Sequence, residues 1–544
     1  MAGSPPTNSF SRLQRMLAVL KPSHAHTAFS ATAVLMVSTF LSSVIGLVRT
    51  KYIAWLFGSG TEADAFNAAF VLPDMISYLL VGGAASITFV TILTRYRETG
   101  REEQGQRSLS VILTTMLLVL GSALLLAEIL APWYIRWMFN GFEAEKSALC
   151  VRLTRILLPA QLCFFAGGVF GSVLLVRKQF SVQAVAPLIY NLGTIVGGVL
   201  LVHRMGVSSL AVGTTAGAFF GPFLLNAVFA HRAGTRYRPM LDWKDSGLRE
   251  WVRLSLPLML GVSLITADNW IISHFASHTD GAVSIMNYAK RLFTAPMAVL
   301  AQATGIASMP FFASLWAKDR KFEFATGVAD SVSRVSALGL LVASGLIALA
   351  RPLVELIFLG GRFSAVDCKL FAGYFAIFCL SMFLWSAQSI YARAFYAAGM
   401  YYLPMIAGTI VTAASLLIYA GLNHAYGAMG LAMASDIGIT LHTVVLAVLL
   451  HRKKMVSLAS VDFAEMGRCL LAAVVSGGAV WLVFTFAFDR AAQMLHWKMK
   501  AANRPLDILL LVMGSLLWVV IVKWVLEKSG SALPRVVQRR LKLS

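Results

Sequence analysis

Three features predict an all-α polytopic membrane protein of about fourteen transmembrane helices, arranged as two six-helix lobes plus two extra C-terminal helices. The chain is strongly apolar, its apolar runs are long enough to span a bilayer, and its basic residues fall mainly in alternate loops. Of 544 residues, 58% are hydrophobic and only 13% are charged. A soluble chain carries about 25% charged residues. So little charge means that much of the surface faces lipid, where only helices and closed barrels satisfy their backbone polar groups.

A spanning helix needs about 20 apolar residues. Windows of that kind fall near 29–57, 65–94, 108–132, 148–176, 183–202 and 207–230. After a basic loop at 231–253 they resume near 254–276, 281–316, 328–358, 366–397, 401–423 and 427–450. Two more follow near 467–488 and 506–527. The expected organisation is therefore a tail at 1–25, a first lobe at 26–230, the 231–253 loop, a second lobe at 254–450, the last two helices within 451–527 and a basic tail at 528–544. The N-terminus does not read as a cleavable signal, because the apolar run Met16–Leu20 is short and meets Lys21 and Pro22.

The net charge is +21, from 46 Lys and Arg against 25 Asp and Glu. Roughly 28 of the basic residues outside the spans fall on the side of the N-terminus and roughly 9 on the other. Arg95, Arg97, Arg101, Arg107, Arg177, Lys178, the 231–253 loop, Lys318–Lys321, Arg452–Lys454 and the Arg535–Lys542 tail make up the rich side. By the positive-inside rule both termini lie in the cytoplasm, as an even number of spans requires. The same rule accounts for the charge without nucleic acid, since no basic module stands apart from the spans.

An internal repeat supports the two lobes. The run from Leu175, LVRKQFSVQAVAPLIYNLGTIVGGVLL, parallels YARAFYAAGMYYLPMIAGTIVTAASLL from Tyr391, with Pro187 and Pro404 at the opening of each helix. A glycine, Gly206 or Gly427, then introduces the next helix. Gly58–Leu93 and Ala276–Leu315 are also alike, so the offset is about 220 residues. Six spans separate corresponding helices, which makes the repeat parallel and places a substrate site between lobes.

Ionisable residues inside the spans are the strongest functional pointers, because each costs several kcal/mol in lipid. Arg49 and Lys51 lie in the first span, Asp64 and Asp74 in or beside the second, Arg152 and Arg155 early in the fourth, Asp268 in the seventh, and Lys290 and Arg291 in the eighth. Arg152 and Arg155 read as snorkelling or structural charges near a helix end. Arg49 and Arg291 lie deeper, at roughly 15 Å of helix from water, where an arginine normally faces a polar cavity. A cavity with several cations suits an anionic substrate, and the planar guanidinium suits diphosphate. Gly46, Pro73, Pro296 and Pro310 offer places for the lining helices to bend.

Motifs for catalysis or cofactors are lacking: there is no P-loop, HExxH or GxSxG. Gly82–Ser86, GGAAS, reads as small-residue packing. Cys150, Cys163, Cys368, Cys379 and Cys469 form no CxxC pair and read as small apolar residues. His274 and His278 stand one turn apart beside Asp280 at a span end and read as surface histidines rather than a metal site.

The first two spans, FLSSVIGLVRTKYIAWLFGSGTEADAFNAAFVLPDMISYLLVGGAASITFVTIL, resemble the MurJ/MviN family of the multidrug/oligosaccharidyl-lipid/polysaccharide exporter superfamily. The resemblance rests on Gly46, Arg49, Phe57-Gly58, Asp64-Ala65-Phe66, Leu72-Pro73 and Gly83-Ala84. The eighth span, NYAKRLFTAPMAVLAQATGIASMPFFASL, also looks like the family's YAxRL…P segment. The resemblance implies a flippase for the peptidoglycan precursor lipid II in the cytoplasmic membrane, working by alternating access around a cationic cavity. It implies substrate contacts at Arg49 and Arg291 and a role for Asp64; Lys51 and Lys290, read from the chain itself, are candidate accessory cations. Its implied partners are a lipid-linked saccharide diphosphate, membrane lipids and cell-wall synthesis proteins, with no cofactor. Departures stand at Ser43, Ser77, Tyr78 and Gly82, where the family usually has charged residues, and at Lys290, where an acidic residue commonly precedes the arginine.

Other functions remain open on the residues alone. A flippase for a different lipid-linked saccharide would tolerate those departures. A cation-coupled multidrug exporter of the same superfamily would use Asp64, Asp74 and Asp268. An integral-membrane transferase would need an acid, base or metal cluster at the interface. A scaffold in a cell-wall complex would need no deep charge.

Overall fold

The computed structural model describes residues 28–80, 82–177, 179–260, 264–484 and 504–534. The N-terminal tail, Lys178, residues 485–488 of the thirteenth expected span and the Arg535–Lys542 tail lie outside the described residues. Within them the chain is helical, and its only pairing of β type is an isolated bridge between Gly360 and Phe363.

The chain opens with α1 (Ala28–Phe57), then α2 (Thr61–Ala68), α3 (Val71–Leu80) and α4 (Gly82–Glu98). α5 (Glu102–Met138) leads into α6 (Ala144–Leu157), α7 (Ala160–Val176), α8 (Phe180–Met205) and α9 (Ser208–Ala218). A π-helical stretch at Phe219–Leu225, which contains Pro222, joins α9 to α10 (Asn226–Arg232). The second half holds α11 (Ser246–Leu260), α12 (Leu264–Ala276), α13 (Ala282–Ala317), α14 (Lys321–Ala348) and α15 (Ala350–Phe358). It ends with α16 (Ala365–Leu380), α17 (Met382–Ala397), α18 (Tyr402–Tyr426), α19 (Ala428–Arg452), α20 (Phe463–Leu482) and α21 (Arg504–Lys528).

Ten of these stretches are long and apolar enough to cross a membrane, or eleven if α16 and α17, bent by 44°, form one span. The other three expected spans, at 65–94, 254–276 and 281–316, each include positions or side chains outside the described set. Pro296 and Pro310, expected as bending points, lie within the unbroken α13. Leu125, Ile129, Leu200 and Leu417 are exposed, as residues facing lipid are.

The helices form two compact units. One takes residues up to Arg49 together with 69–135 and 148–260; the other takes 50–68, 136–147 and the chain from 261 onward. Division by contact therefore differs from division at the basic loop. Two short segments of the first half, 50–68 and 136–147, join the second unit.

In the first unit a core of Phe89, Ile92, Leu109, Ile112, Val169 and Trp251 gathers α4, α5, α7 and α11. On the loop side Arg95 pairs with Glu250, and Arg107 pairs with Asp242 at 3.0 Å. α8 and α9 approach through glycines at positions 193, 197, 213 and 217. A Cβ on Gly197 would lie 2.4 Å from the Gly213 Cα, and one on Gly193 would lie 2.5 Å from the Gly217 Cα. Lipid supplies no hydrophobic force between helices, so this backbone approach is what lets them pack. The Thr194 and Thr214 hydroxyls hydrogen-bond at 2.8 Å between the same two helices.

In the second unit Phe312, Phe324, Val328, Ile390, Tyr391 and Phe395 build one core. Ala337 and Leu341 of α14 pack with Cys469 and Ala472 of α20 and Val522 of α21, so the last two helices seat on α14. The repeat reappears in the backbone. Gly206 ends α8 at φ 54° and Gly427 ends α18 at φ 57°, both in the left-handed region that favours glycine.

The α8–α9 seam yields a prediction. Gly197→Leu should lower the unfolding temperature in detergent by several degrees, because overpacking costs about 1–3 kcal/mol. Gly421→Ala, where an added Cβ meets nothing within 4 Å, should leave it unchanged. Equal melting of both variants would refute the close-approach account.

Candidate functional site

The first unit contributes Arg49. Ser38, Ser42 and Arg49 lie along one side of α1, spaced by one turn and then two. Ser38 donates to the Ala184 carbonyl, and Asn191 donates to Ser42 at 3.2 Å. This seam directs Arg49 toward α8, where its guanidinium carbon lies 5.6 Å from the centre of the Tyr190 ring. Asp74 of α3 interacts with it electrostatically. Arg49 Nε and Nη1 are buried and make no hydrogen bond. A cation–π contact offsets part of the cost of that burial and satisfies neither N–H group.

The second unit holds Lys51, Asp64, Lys290 and Arg291. Lys51 is half-buried and donates to the Leu359 carbonyl at 3.3 Å. Arg291 is exposed on α13. Asp64 is 0% exposed, and its carboxylate is enclosed by donors. The Gly281 and Ser284 amides each donate to it at 2.8 Å, and Lys146 Nζ stands at 3.2 Å. Lys146 also reaches Asp280 at 2.6 Å. These bonds join α2, α6 and the start of α13. Ser59 and Arg362 add to this end of the unit, donating to Asp367 at 2.6 Å and Glu62 at 2.8 Å.

Lys290 is also committed internally. Its ammonium pairs with Asp268 of α12 and lies 5.6 Å from the Phe378 ring centre. Asp268 is fully buried and takes further hydrogen bonds from the Tyr419 hydroxyl and from Ser435 at 2.9 Å. Ser381 donates to the nearby Asp436. Among the described residues no group of three His, Cys, Asp or Glu side chains is placed to hold a metal ion.

This geometry sorts the residues that the sequence selects. Asp64 and Lys290 carry full sets of internal partners, whereas Arg49 keeps two unsatisfied N–H groups and Arg291 is exposed.

The family model described as "Lipid II flippase MurJ" matches residues 53–499. The chain belongs to the MurJ family of lipid II flippases. MurJ relatives align over most of their length. The "probable lipid II flippase MurJ" of Haemophilus influenzae is 29% identical over 472 residues, covering 81% of this chain and 90% of that one. The Vibrio cholerae protein of the same description is 27% identical over 463 residues, covering 82% and 88%. The fold is similar to a solved "Lipid II flippase MurJ, inward closed conformation", with a TM-score of 0.73 at 20% identity over 91% of this chain and 99% of that one. It is also similar to an inward-facing multidrug resistance MATE transporter of the MOP superfamily, with a TM-score of 0.62 at 15% identity over 78% and 98%. The family is one of membrane transporters rather than enzymes.

Sequence reasoning overlooks Lys146, Tyr419, Ser435 and Asp436. Lys146 sits near the start of a helix beside Glu145, where it reads as an ordinary end-of-helix charge. The detectable signal is arithmetic: each fully buried carboxylate needs a cation, and Lys146 is a basic residue on the charge-poor side of the chain.

The Asp64 cluster can be tested by a double-mutant cycle. Asp64→Ala leaves Lys146 and two amides without their shared acceptor, so it should cost about 3–5 kcal/mol of stability. Adding Lys146→Met should recover part of that loss. Strict additivity in thermal unfolding would show that the two side chains are not coupled.

Proposed function

We propose that this protein translocates a polyprenyl-diphosphate-linked saccharide, with lipid II as the substrate, from the inner to the outer leaflet of the cytoplasmic membrane by alternating access. The observation that carries this reading is Arg49, whose half-buried guanidinium has two N–H groups without acceptors. A diphosphate supplies oxygens for such groups in parallel pairs. Arg291 of the second unit is assigned as a further substrate contact, and Lys51 as an accessory charge on α1. Asp64 and Lys290 are assigned to holding the second unit together, since their charges are met internally.

The N- and C-termini are placed in the cytoplasm on the charge asymmetry of the loops. The saccharide crosses within the protein while the polyprenyl tail stays in lipid, and cell-wall synthesis proteins receive the product. Membrane potential is available to reset the carrier, because moving one charge through 100 mV is worth about 2.3 kcal/mol.

The alternative of a cation-coupled multidrug exporter is weaker on these observations. It requires carboxylates available to an organic cation. Asp64 is occupied by Lys146 and Asp268 by Lys290.

The test is complementation in a host depleted of its own lipid II flippase, with exposure of the lipid II headgroup on the outer leaflet as readout. Wild-type protein should restore growth and exposure. Arg49→Ala and Arg291→Ala should each lower exposure at least tenfold at equal membrane abundance, with Arg49→Lys intermediate because it loses the bidentate fork. Full rescue by both alanine variants would remove these arginines from the site. No rescue by abundant wild-type protein would exclude lipid II as the substrate.

A further inference from the structure

A second anion-binding arrangement lies away from Arg49, at the arginine-rich end of the first unit. The last turn of α4, the first turns of α5, the end of α7 and the turn after α10 enclose a cavity of about 50 Å³. Its polar lining consists of Arg97, Glu102, Gln106, Arg177 and Thr235. Leu93, Leu109 and Val173 supply an apolar wall.

Two observations point to a ligand. The Thr235 side chain is 4% exposed, and its hydroxyl makes no hydrogen bond. A buried hydroxyl left in that state costs about 1–3 kcal/mol, so its persistence calls for an acceptor or donor in the cavity it lines. Arg177, half-buried at the end of α7, makes no side-chain ion pair or hydrogen bond among the described residues. Its guanidinium packs beside Gly234, whose φ of 89° turns the chain so that Thr235 follows directly. The turn is fixed by backbone hydrogen bonds, the Gly234 amide donating to the His231 carbonyl at 2.9 Å and the Thr235 amide to the Ala230 carbonyl at 3.0 Å. Gln106 braces it from α5 by donating to the Gly234 carbonyl at 3.3 Å.

Other charges in the cavity are already engaged. Arg97 donates to the Val176 carbonyl at 2.8 Å and faces Glu102 at 3.6 Å. That pair leaves Arg177 as the uncompensated cation. The volume excludes a nucleotide or whole sugar, since sites for molecules of that size run to about 300 Å³ or more. One phosphate group fits better. Arginine recognises phosphate through paired N–H donors, and a basic site at the end of membrane helices meets lipid headgroups.

We propose that this cavity binds the phosphodiester of a membrane glycerophospholipid, held by Arg177 and the Thr235 hydroxyl, with the acyl chains outside it in the leaflet. The site is separate from substrate binding at Arg49. It would tie α4, α5, α7 and the turn after α10 to the surrounding leaflet.

The experiment is native mass spectrometry of the full chain released from nanodiscs of phosphatidylglycerol and phosphatidylethanolamine. Wild-type protein should retain phospholipid, and Arg177→Gln and Thr235→Val should each reduce retention about tenfold. Arg177→Lys should retain more than Arg177→Gln. In lipid-free detergent no variant should melt earlier than wild type, and Thr235→Val should melt later because it removes an unsatisfied hydroxyl; added phospholipid should stabilise wild type more than Arg177→Gln or Thr235→Val. Equal retention by wild type and both variants would overturn the proposal. Displacement of the lipid by millimolar inorganic phosphate, or thermal stabilisation by phosphate alone, would assign the site to free phosphate and likewise overturn it. A variant that melts early without lipid is replaced by Gln106→Leu, which removes the brace on the turn and one polar group of the lining. Its retention should also fall, and unchanged retention would count against the proposal.

Discussion

The structure depends on the pairing of Asp64 with Lys146 in a place that water does not reach. A carboxylate removed from water loses hydration worth several kcal/mol even after the protein relaxes around it. Asp64 recovers that loss by accepting from two backbone amides at 2.8 Å and facing an ammonium at 3.2 Å. At an effective dielectric constant of 20, a Coulomb attraction at that distance is roughly 5 kcal/mol. Three sequence-distant pieces are thereby fixed to one another: the start of α2, the start of α6, and the segment from Asp280 into the first turn of α13. Asp268 follows the same rule, with Lys290 as its cation and Tyr419 and Ser435 as its remaining donors.

Against that background Arg49 is an exception with a physical meaning. The fold supplies partners for deeply placed carboxylates and leaves a guanidinium with two buried N–H groups unfilled. An apolar membrane interior penalises such a group. A transporter gains from the penalty, because an anion that enters is held by donors already oriented and already stripped of water. The neighbouring carboxylate of Asp74 limits the gain by offering the arginine a competing interaction. Binding that is too tight would halt release, so partial compensation suits a carrier better than a fully naked charge.

Much of the fold was legible because hydropathy and glycine placement act locally. Apolar windows located ten or eleven of the expected spans, and Gly206 and Gly427 marked equivalent helix ends with backbone φ of 54° and 57°. Depth along a helix selected Arg49 by the same one-dimensional logic. What one dimension does not contain is direction around the helix and the identity of distant partners. Lys290 and Arg291 are adjacent in sequence and were grouped as cations, yet one points to Asp268 and the other is exposed. Asp64 and Lys146 are separated by 82 residues, so nothing local pairs them. Segments 50–68 and 136–147 fall in the second unit for the same reason: contacts with sequence-distant residues, rather than chain order, decide membership.

The internal pairing of Lys290 bears on the departures from the family pattern at Ser43, Ser77 and Gly82. Taken as free charges, Lys51 and Lys290 would restore part of the positive character those positions lack. Lys290, however, balances the buried Asp268, and removing it would leave that carboxylate buried without its cation. Its charge is therefore spent on the fold and adds almost nothing to the field at a substrate. On the proposed assignment, recognition of an anionic headgroup then rests on fewer cations, Arg49 and Arg291 foremost. Fewer charges lower electrostatic attraction and raise the share of binding that comes from the paired geometry of each guanidinium. Under that constraint, arginine-to-lysine exchange at Arg49 should be felt more strongly here than in a relative whose cavity holds additional arginines.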